Sequence, residues 1–178
     1  GGDIETIDDD PYVESDGTSG INLGLVASPK LKIELDYAMT VVEAGSGNDY
    51  QQRIFGEDWD DTNPRISVYV NGSGNISMAS GDSWVAKSTG IAADTKRRTV
   101  VIDNPALKWS FMTGVTTNWY SDATADLTKC ATYPLGLFAN PTNTTGTLFN
   151  RQAKAKVYGL KIWQDGTLIR DLAPRSID

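Results

Sequence analysis

The 178-residue chain has no histidine and a single cysteine. Without imidazole there is no Ser-His-Asp or Cys-His catalysis, no imidazole zinc site and no histidine pH switch. Chemistry run by carboxylates stays open, but losing the most versatile acid-base group shifts weight toward binding. Cys130 has no partner for an internal disulfide. The burial habit of cysteine favours a small apolar role over a reactive thiol, and any bridge would be intermolecular. No run of 18 apolar residues occurs, so no helical membrane span is encoded. Positive charge is also scarce: 16 basic residues face 23 acidic ones, for a net charge of −7. Such a surface repels nucleic acid phosphates and anionic lipid. Neutral ligands such as sugars, and cations such as calcium, are compatible with it.

One domain suits this length, and a domain of this size buries roughly 70% of its unfolded surface. Residues 1–10 are acidic and polar, without the basic start and apolar centre of a signal peptide. They read as a flexible tether, either the start of a processed protein or an artificial boundary, and residues 11–178 as the domain.

Strand patterns dominate. From Leu31 to Val41 the odd positions Leu31, Ile33, Leu35, Tyr37, Met39 and Val41 are all apolar, with Lys32, Glu34, Asp36, Ala38 and Thr40 between them. Period-two alternation marks a strand with one face on a core. Tyr12–Ser15 and Ile21–Leu25 are short strand candidates around the turn signals Asp16-Gly17 and Ser19-Gly20. Gln52–Gly56 leads into an acidic loop, Glu57–Asn63. Arg65–Val70 and Ile76–Ala79 flank an Asn71–Asn75 turn, and Arg97–Asp103 and Ala106–Met112 flank Asn104-Pro105. Ala123–Lys129 fits one or two helical turns. Tyr133–Ala139 is strand-like, and Asn140–Gly146 is a polar loop. The chain ends on two β-rich runs around Asp165-Gly166, whose positive φ values suit a tight hairpin. A two-residue loop sets Trp163 beside Leu168, whereas a three-residue loop brings Ile162 toward Leu168 and Leu172. Many short strands between Gly, Asn and Pro turns indicate an all-β sandwich or barrel.

The order of blocks resembles bacterial laminin-G-like, concanavalin A-like domains. The blocks are Tyr12-Val-Glu-Ser-Asp-Gly-Thr18, Ile21-Asn-Leu-Gly24, Lys32-Ile-Glu-Leu-Asp36 and Arg53-Ile-Phe-Gly56. Later come Arg98-Thr-Val-Val-Ile-Asp103, Leu135-Gly-Leu-Phe-Ala139, Val157–Trp163 and Thr167–Pro174. The resemblance implies a jelly-roll sandwich of two antiparallel sheets, with ligands on the concave sheet or the rim loops. It also implies an extracellular or cell-envelope location.

The same superfamily includes laminarinase-type glucanases with Glu-x-Asp-x-Glu on the active strand. Here Glu34-Leu-Asp36-Tyr-Ala38 starts that pattern and places alanine where the second glutamate belongs. Retaining hydrolysis needs two carboxyls about 5–5.5 Å apart, so Glu34 and Asp36 read as decoration on the polar side of a strand. Glu57, Asp58, Asp60 and Asp61 pack four carboxylates into one loop. Calcium takes six to eight oxygen ligands, although solvated acids are the commoner use of such a loop. Sugars stack C–H faces on aromatic rings, which nominates Trp59, Trp84, Trp119 and Tyr120 in predicted loops or strand ends as ligand contacts. Trp109 and Trp163 lie in strand patterns and read as core. Asn71, Asn75 and Asn143 open glycosylation-type triplets, and turn chemistry accounts for the first two.

The expectation is a non-catalytic carbohydrate-binding module, lectin-like and without cofactor apart from the calcium option. The alternatives are a structural or adhesive surface module without a small ligand and, third, a glycoside hydrolase.

Overall fold

The computed structural model describes residues 10–28, 30–43, 52–57, 65–81, 86–106, 108–113, 116–121 and 133–174; for 65, 78–81, 86–90, 108–113 and 116–121 it describes the backbone alone. The strands are β1 (Val13–Asp16), β2 (Ile21–Val26), β3 (Leu31–Met39), β4 (Gln52–Gly56), β5 (Arg65–Val70), β6 (Asn75–Gly81), β7 (Ala86–Ala92) and β8 (Arg98–Asp103). They continue as β9 (Lys108–Thr113), β10 (Thr116–Ser121), β11 (Pro134–Leu137), β12 (Asn140–Pro141), β13 (Phe149–Asn150), β14 (Lys154–Gln164) and β15 (Thr167–Leu172). A seven-stranded sheet runs β1-β14-β3-β8-β9-β10, with β15 also on β14, and a six-stranded sheet runs β2-β11-β4-β5-β6-β7. The strand pairs of both sheets are antiparallel, so the fold is the two-sheet jelly-roll sandwich expected.

The alternation in β3 does what its period requires. Leu31, Ile33, Leu35, Tyr37 and Met39 are buried in the core, while Lys32, Glu34 and Asp36 are half-buried on the outward face. Val100 and Ile102 of β8 and Val157, Leu160 and Ile162 of β14 extend this layer. Ile54, Phe55, Ile66, Val68, Val70, Leu135 and Leu137 face it from the six-stranded sheet. The strand stops at Met39, not Val41: one last in-register bond, from Thr40 N–H to the Lys154 carbonyl at 3.0 Å, follows it, and Val41 is exposed.

Local turn chemistry fixes several connections. Asn71 Oδ1 accepts from Ser73 N–H at 2.9 Å and Asn75 N–H at 3.0 Å, while its Nδ2 donates to Ser77 Oγ at 2.9 Å. Asn143 does the same work in its loop, accepting from Thr147 and Leu148 N–H. The last hairpin takes the two-residue loop. Asp165 and Gly166 have φ of 50° and 78°, and Trp163 pairs with Leu168. Because Ile162 holds the core position, period two sends Trp163 outward, where it is half-buried beneath Lys32 Nζ at 5.3 Å. The core assignment of Trp163 is therefore corrected. Trp109 pairs in register with core-facing Ile102, and its side chain lies outside the described ones.

β2 and β4 carry irregularities. In β2, Gly24 has φ of 72° and donates its N–H to Asn22 Oδ1 at 2.8 Å. The strand there spends four residues against two of β11. In β4, Gly56 has φ of 143°, and a Cβ at that position would lie 2.5 Å from the Ile66 carbonyl oxygen and 2.8 Å from Ser67 Cα. β7, β10, β12 and β13 have no counterpart among the expected strands, and Asn140 and Pro141, expected in a polar loop, are buried in β12. The helical turn expected over 123–129 and Cys130 lie outside the described residues, as do residues 1–9 of the expected tether. Asp10, the tether's last residue, pairs with Arg97 at 2.6 Å.

Two stability outcomes follow from this packing. Gly56→Ala forces Cβ against the backbone of β5 and is expected to lower the unfolding free energy by roughly 1–3 kcal/mol in urea titration. Tyr37 is buried and, among the described residues, its hydroxyl has no hydrogen-bond partner, so burial pushes the phenol well above its ordinary range. Tyr37→Phe removes an unsatisfied group and should raise stability, by up to about 1 kcal/mol, instead of lowering it. A loss in the same titration would show that the hydroxyl is satisfied.

Candidate functional site

The face of the six-stranded sheet turned away from the core is polar at its centre. Arg53 of β4 pairs in register with Tyr69 of β5, which pairs with Ser77 of β6. The Arg53 guanidinium lies 4.0 Å from the Tyr69 ring centroid and its Nη1 donates to Ser67 Oγ at 3.0 Å. Stacking on a ring and donating to a hydroxyl offset part of the cost of burying that charge. All four side chains are buried, with Arg53 only 2% exposed, so the centre of this face holds a packed network instead of an open groove. Glu57, which follows β4, is also buried, at 1% exposure. That corrects its reading as a solvated loop acid: the backbone continues the sheet there, with Glu57 N–H donating to the Ile66 carbonyl at 3.3 Å. Asp58, Asp60 and Asp61 lie outside the described residues, as do Trp59 and Trp84. Trp119 and Tyr120 fall in β10, paired in register with Ser110 and Trp109, and their side chains are outside the described ones.

Glu34 and Asp36 sit half-buried on the outward face of β3. Asp36 is held by Arg97 through Nε to Oδ1 at 2.9 Å and Nη2 to Oδ2 at 2.7 Å. Glu34 stands opposite Lys161 and Val101. Among the described residues no group of three or more acidic or cysteine side chains gathers in a way that could hold a metal ion.

The open polar site is at the rim, where β1 ends. Asp16 pairs with Lys154 at the start of β14, and the chain then turns through Gly17. Gly17 has φ of 87°, and a Cβ there would touch Lys154 Cγ at 3.0 Å, so the turn needs glycine both for its dihedral and for that close approach. Asp16 Oδ1 accepts from Thr18 N–H at 3.0 Å and from Thr18 Oγ1 at 2.5 Å. These bonds hold the Asp16 carboxyl below its ordinary value of 3.8. Ser15 and Glu14 come from β1, Ser19 from the turn, Thr40 from the end of β3 and Lys154 from β14, and together with Asp16 and Thr18 they line a cleft of about 590 Å³. Lys154 Nζ reaches Glu43 at 2.7 Å. Among the described residues the cleft thus offers carboxylate acceptors, four hydroxyls and one ammonium.

An aromatic group stands beside it. Tyr12, 43% exposed, lies two residues before Glu14 and packs edge-on to Tyr158 at 5.7 Å. Lys156 Nζ lies 4.3 Å from the Tyr12 ring and the Arg97 guanidinium 3.9 Å from the Tyr158 ring. The sequence names Asp16-Gly17 and Ser19-Gly20 as turn signals. It gives no sign that Thr40 and Lys154 meet them, because only sheet register makes them neighbours.

No protein-family model and no curated protein sequence matches the chain. Solved structures do. The CBM40 of Ruminococcus gnavus IT-sialidase, bound to α2,3-sialyllactose, superposes with a TM-score of 0.55 at 9% identity, covering 85% of this chain and 89% of that one. The leech intramolecular trans-sialidase, complexed with 2,7-anhydro-Neu5Ac, superposes with a TM-score of 0.54 at 13% identity, covering 85% of this chain. This chain spans a quarter of the leech protein's length. At such identities the likeness is one of fold: the chain is similar to these proteins in its jelly-roll sandwich of two antiparallel sheets.

Proposed function

We propose that the chain is a non-catalytic carbohydrate-binding module, working outside the cell or on its envelope, with its ligand in the rim cleft at the end of β1. The observation that carries this reading is the cleft itself. Its Asp16 carboxylate, the hydroxyls of Ser15, Thr18, Ser19 and Thr40, and the Lys154 ammonium offer the mixed donors and acceptors that a polyhydroxylated ligand needs. Exposed Tyr12 adds an aromatic surface beside them. The resemblance to laminin-G-like domains and the fold shared with the sialyllactose-bound R. gnavus module support the same reading. Two features speak for binding without cleavage: alanine at the position of the second catalytic glutamate, and the clamp of Arg97 on Asp36.

The buried centre of the six-stranded sheet favours a second reading, a structural or adhesive module without a small ligand. Its signature would be self-association in sedimentation together with silence on a glycan array.

A broad glycan array followed by calorimetry tests the first reading, with sialylated oligosaccharides among the probes because the R. gnavus module holds one. The expected outcome is binding of at least one glycan class, weakened roughly tenfold or more by Asp16→Ala, the loss of a charge-assisted hydrogen bond. Silence across the array at high protein concentration would falsify it. Because Thr18 keeps the Asp16 carboxyl below its ordinary 3.8, the acceptor stays charged as pH falls through the usual aspartate range. Binding that depends on this carboxylate should therefore weaken with a midpoint below pH 3.8, lower than an unperturbed aspartate would give. Release of soluble sugar from a glucan, abolished by Glu34→Gln, would replace the binding module with a hydrolase.

A further inference from the structure

Among the described residues two cavities flank β1, and only one of them suits a sugar. β1 pairs with Lys154–Val157 and β15 with Leu160–Gln164, so Tyr158 and Gly159 of β14 fall between the two partners. The gap opens the interior as an aliphatic cavity of about 230 Å³ over Leu23, Leu137, Val157 and Leu160. Such walls leave hydroxyls without partners. The polar cleft at the other end of β1, about 590 Å³, falls within the roughly 300–1,000 Å³ of small-ligand sites and has room for a short oligosaccharide. What distinguishes it is an excess of hydrogen-bond acceptors and negative charge over donors.

Glu14 and Asp16 line this cleft from alternate positions of β1, both exposed, so they stand on one face roughly 6.6 Å apart along the strand. Two lysines are placed to neutralise them, and both are engaged elsewhere. Lys156, opposite Glu14 in register, sends Nζ over the Tyr12 ring, while Lys154, opposite Asp16, gives its Nζ to Glu43 at 2.7 Å. Among the described residues neither Glu14 nor Asp16 forms a salt bridge. Thr18 adds to the imbalance. Its hydroxyl donates to Asp16 Oδ1 at 2.5 Å, so its oxygen has only lone pairs left to offer a ligand. An anionic sugar would meet two carboxylates, in a chain of net charge −7, and find the one ammonium of the cleft already held by Glu43. Calcium needs six to eight oxygen ligands, and one oxygen of Asp16 is committed to Thr18. An ammonium brings three donors, no acceptor and a single positive charge. We propose that the cleft takes a glycan with a free protonated amine, an unacetylated amino sugar, its ammonium against Glu14 and Asp16 and its hydroxyls toward Thr18, Ser19 and Thr40. This rests on the carbohydrate-binding reading of the cleft and names the ligand class within it.

Calorimetry and amide NMR of the full chain test this with four trisaccharides of one backbone: β-1,4-linked glucosamine, its N-acetylated form, cellotriose and cellotriose oxidised to carboxylate at C6. The glucosamine trimer should bind more tightly than cellotriose by about two- to fivefold, the range of an exposed ion pair. The N-acetylated trimer should lose that advantage, and the oxidised trimer should bind more weakly than cellotriose. Asp16→Asn should bring the amine-to-hydroxyl affinity ratio toward one, as should ionic strength high enough to screen the pair; Glu14→Gln is the second variant if the first fails to fold. Glu43→Gln releases Lys154 and should strengthen binding of the oxidised trimer by about two- to fivefold. The glucosamine trimer should also move the amide resonances of Asp16, Thr18 and Thr40. Cellotriose or the N-acetylated trimer binding as tightly as the amine overturns the ligand class and leaves the carbohydrate-binding reading standing. So does a glycan array on which only sugars without a free amine bind. Resonance shifts confined to other residues overturn the location, and silence of every glycan overturns this inference together with the reading beneath it.

Discussion

The outer edge of β14 is the constraint on which both cavities depend. Among the described strands β14 is the longest, at eleven residues; β3 follows its inner edge, but no single partner accompanies the outer one throughout. Two shorter strands share the edge end to end, one from each terminus of the domain. Where the first begins and the second stops, the apolar interior is reached from the side. Where the first ends, the turn at Gly17 brings carboxylate and hydroxyl groups against Lys154. A polar recess and a greasy one, separated by the length of a four-residue strand, are thus products of one pairing arrangement.

Charges are handled differently on the two sheets. On the seven-stranded sheet Arg97 bridges Asp36 and Asp10 at the surface and covers the Tyr158 ring. Exposed pairs of this kind contribute little individually, but a shared guanidinium ties three separate segments into one patch. On the six-stranded sheet Arg53 is buried with a ring and a hydroxyl for company, so a charge sits within the packed centre of that face.

What was legible in the sequence was what depends on short-range pattern. The odd-numbered residues of β3 announced their shared face, Asn71 its turn and Asp165-Gly166 its hairpin, because each is decided within a few residues. The alternation runs two residues beyond the end of β3, because the point where a strand leaves its partner is decided by pairing with β14 far along the sequence, not by local pattern. Aromatic character suggests burial for Trp163, whereas its neighbour Ile162 takes the inward position. The aromatic and acidic ligand candidates were picked by residue type in loops. The cleft is built from serines, threonines and a lysine, residue types too common to stand out before register brings them together.

The glycine in β2 bears on how copies of this protein meet. That strand forms one border of its sheet and shows Ile21 and Val26 to solvent, a combination that invites pairing with a neighbouring molecule. Gly24 bends the backbone out of line, and the Asn22 side chain has already claimed its amide proton. An incoming strand would find an interrupted row of donors and a crooked template. The border is thereby blunted against fibrous aggregation without a single charged residue in the strand.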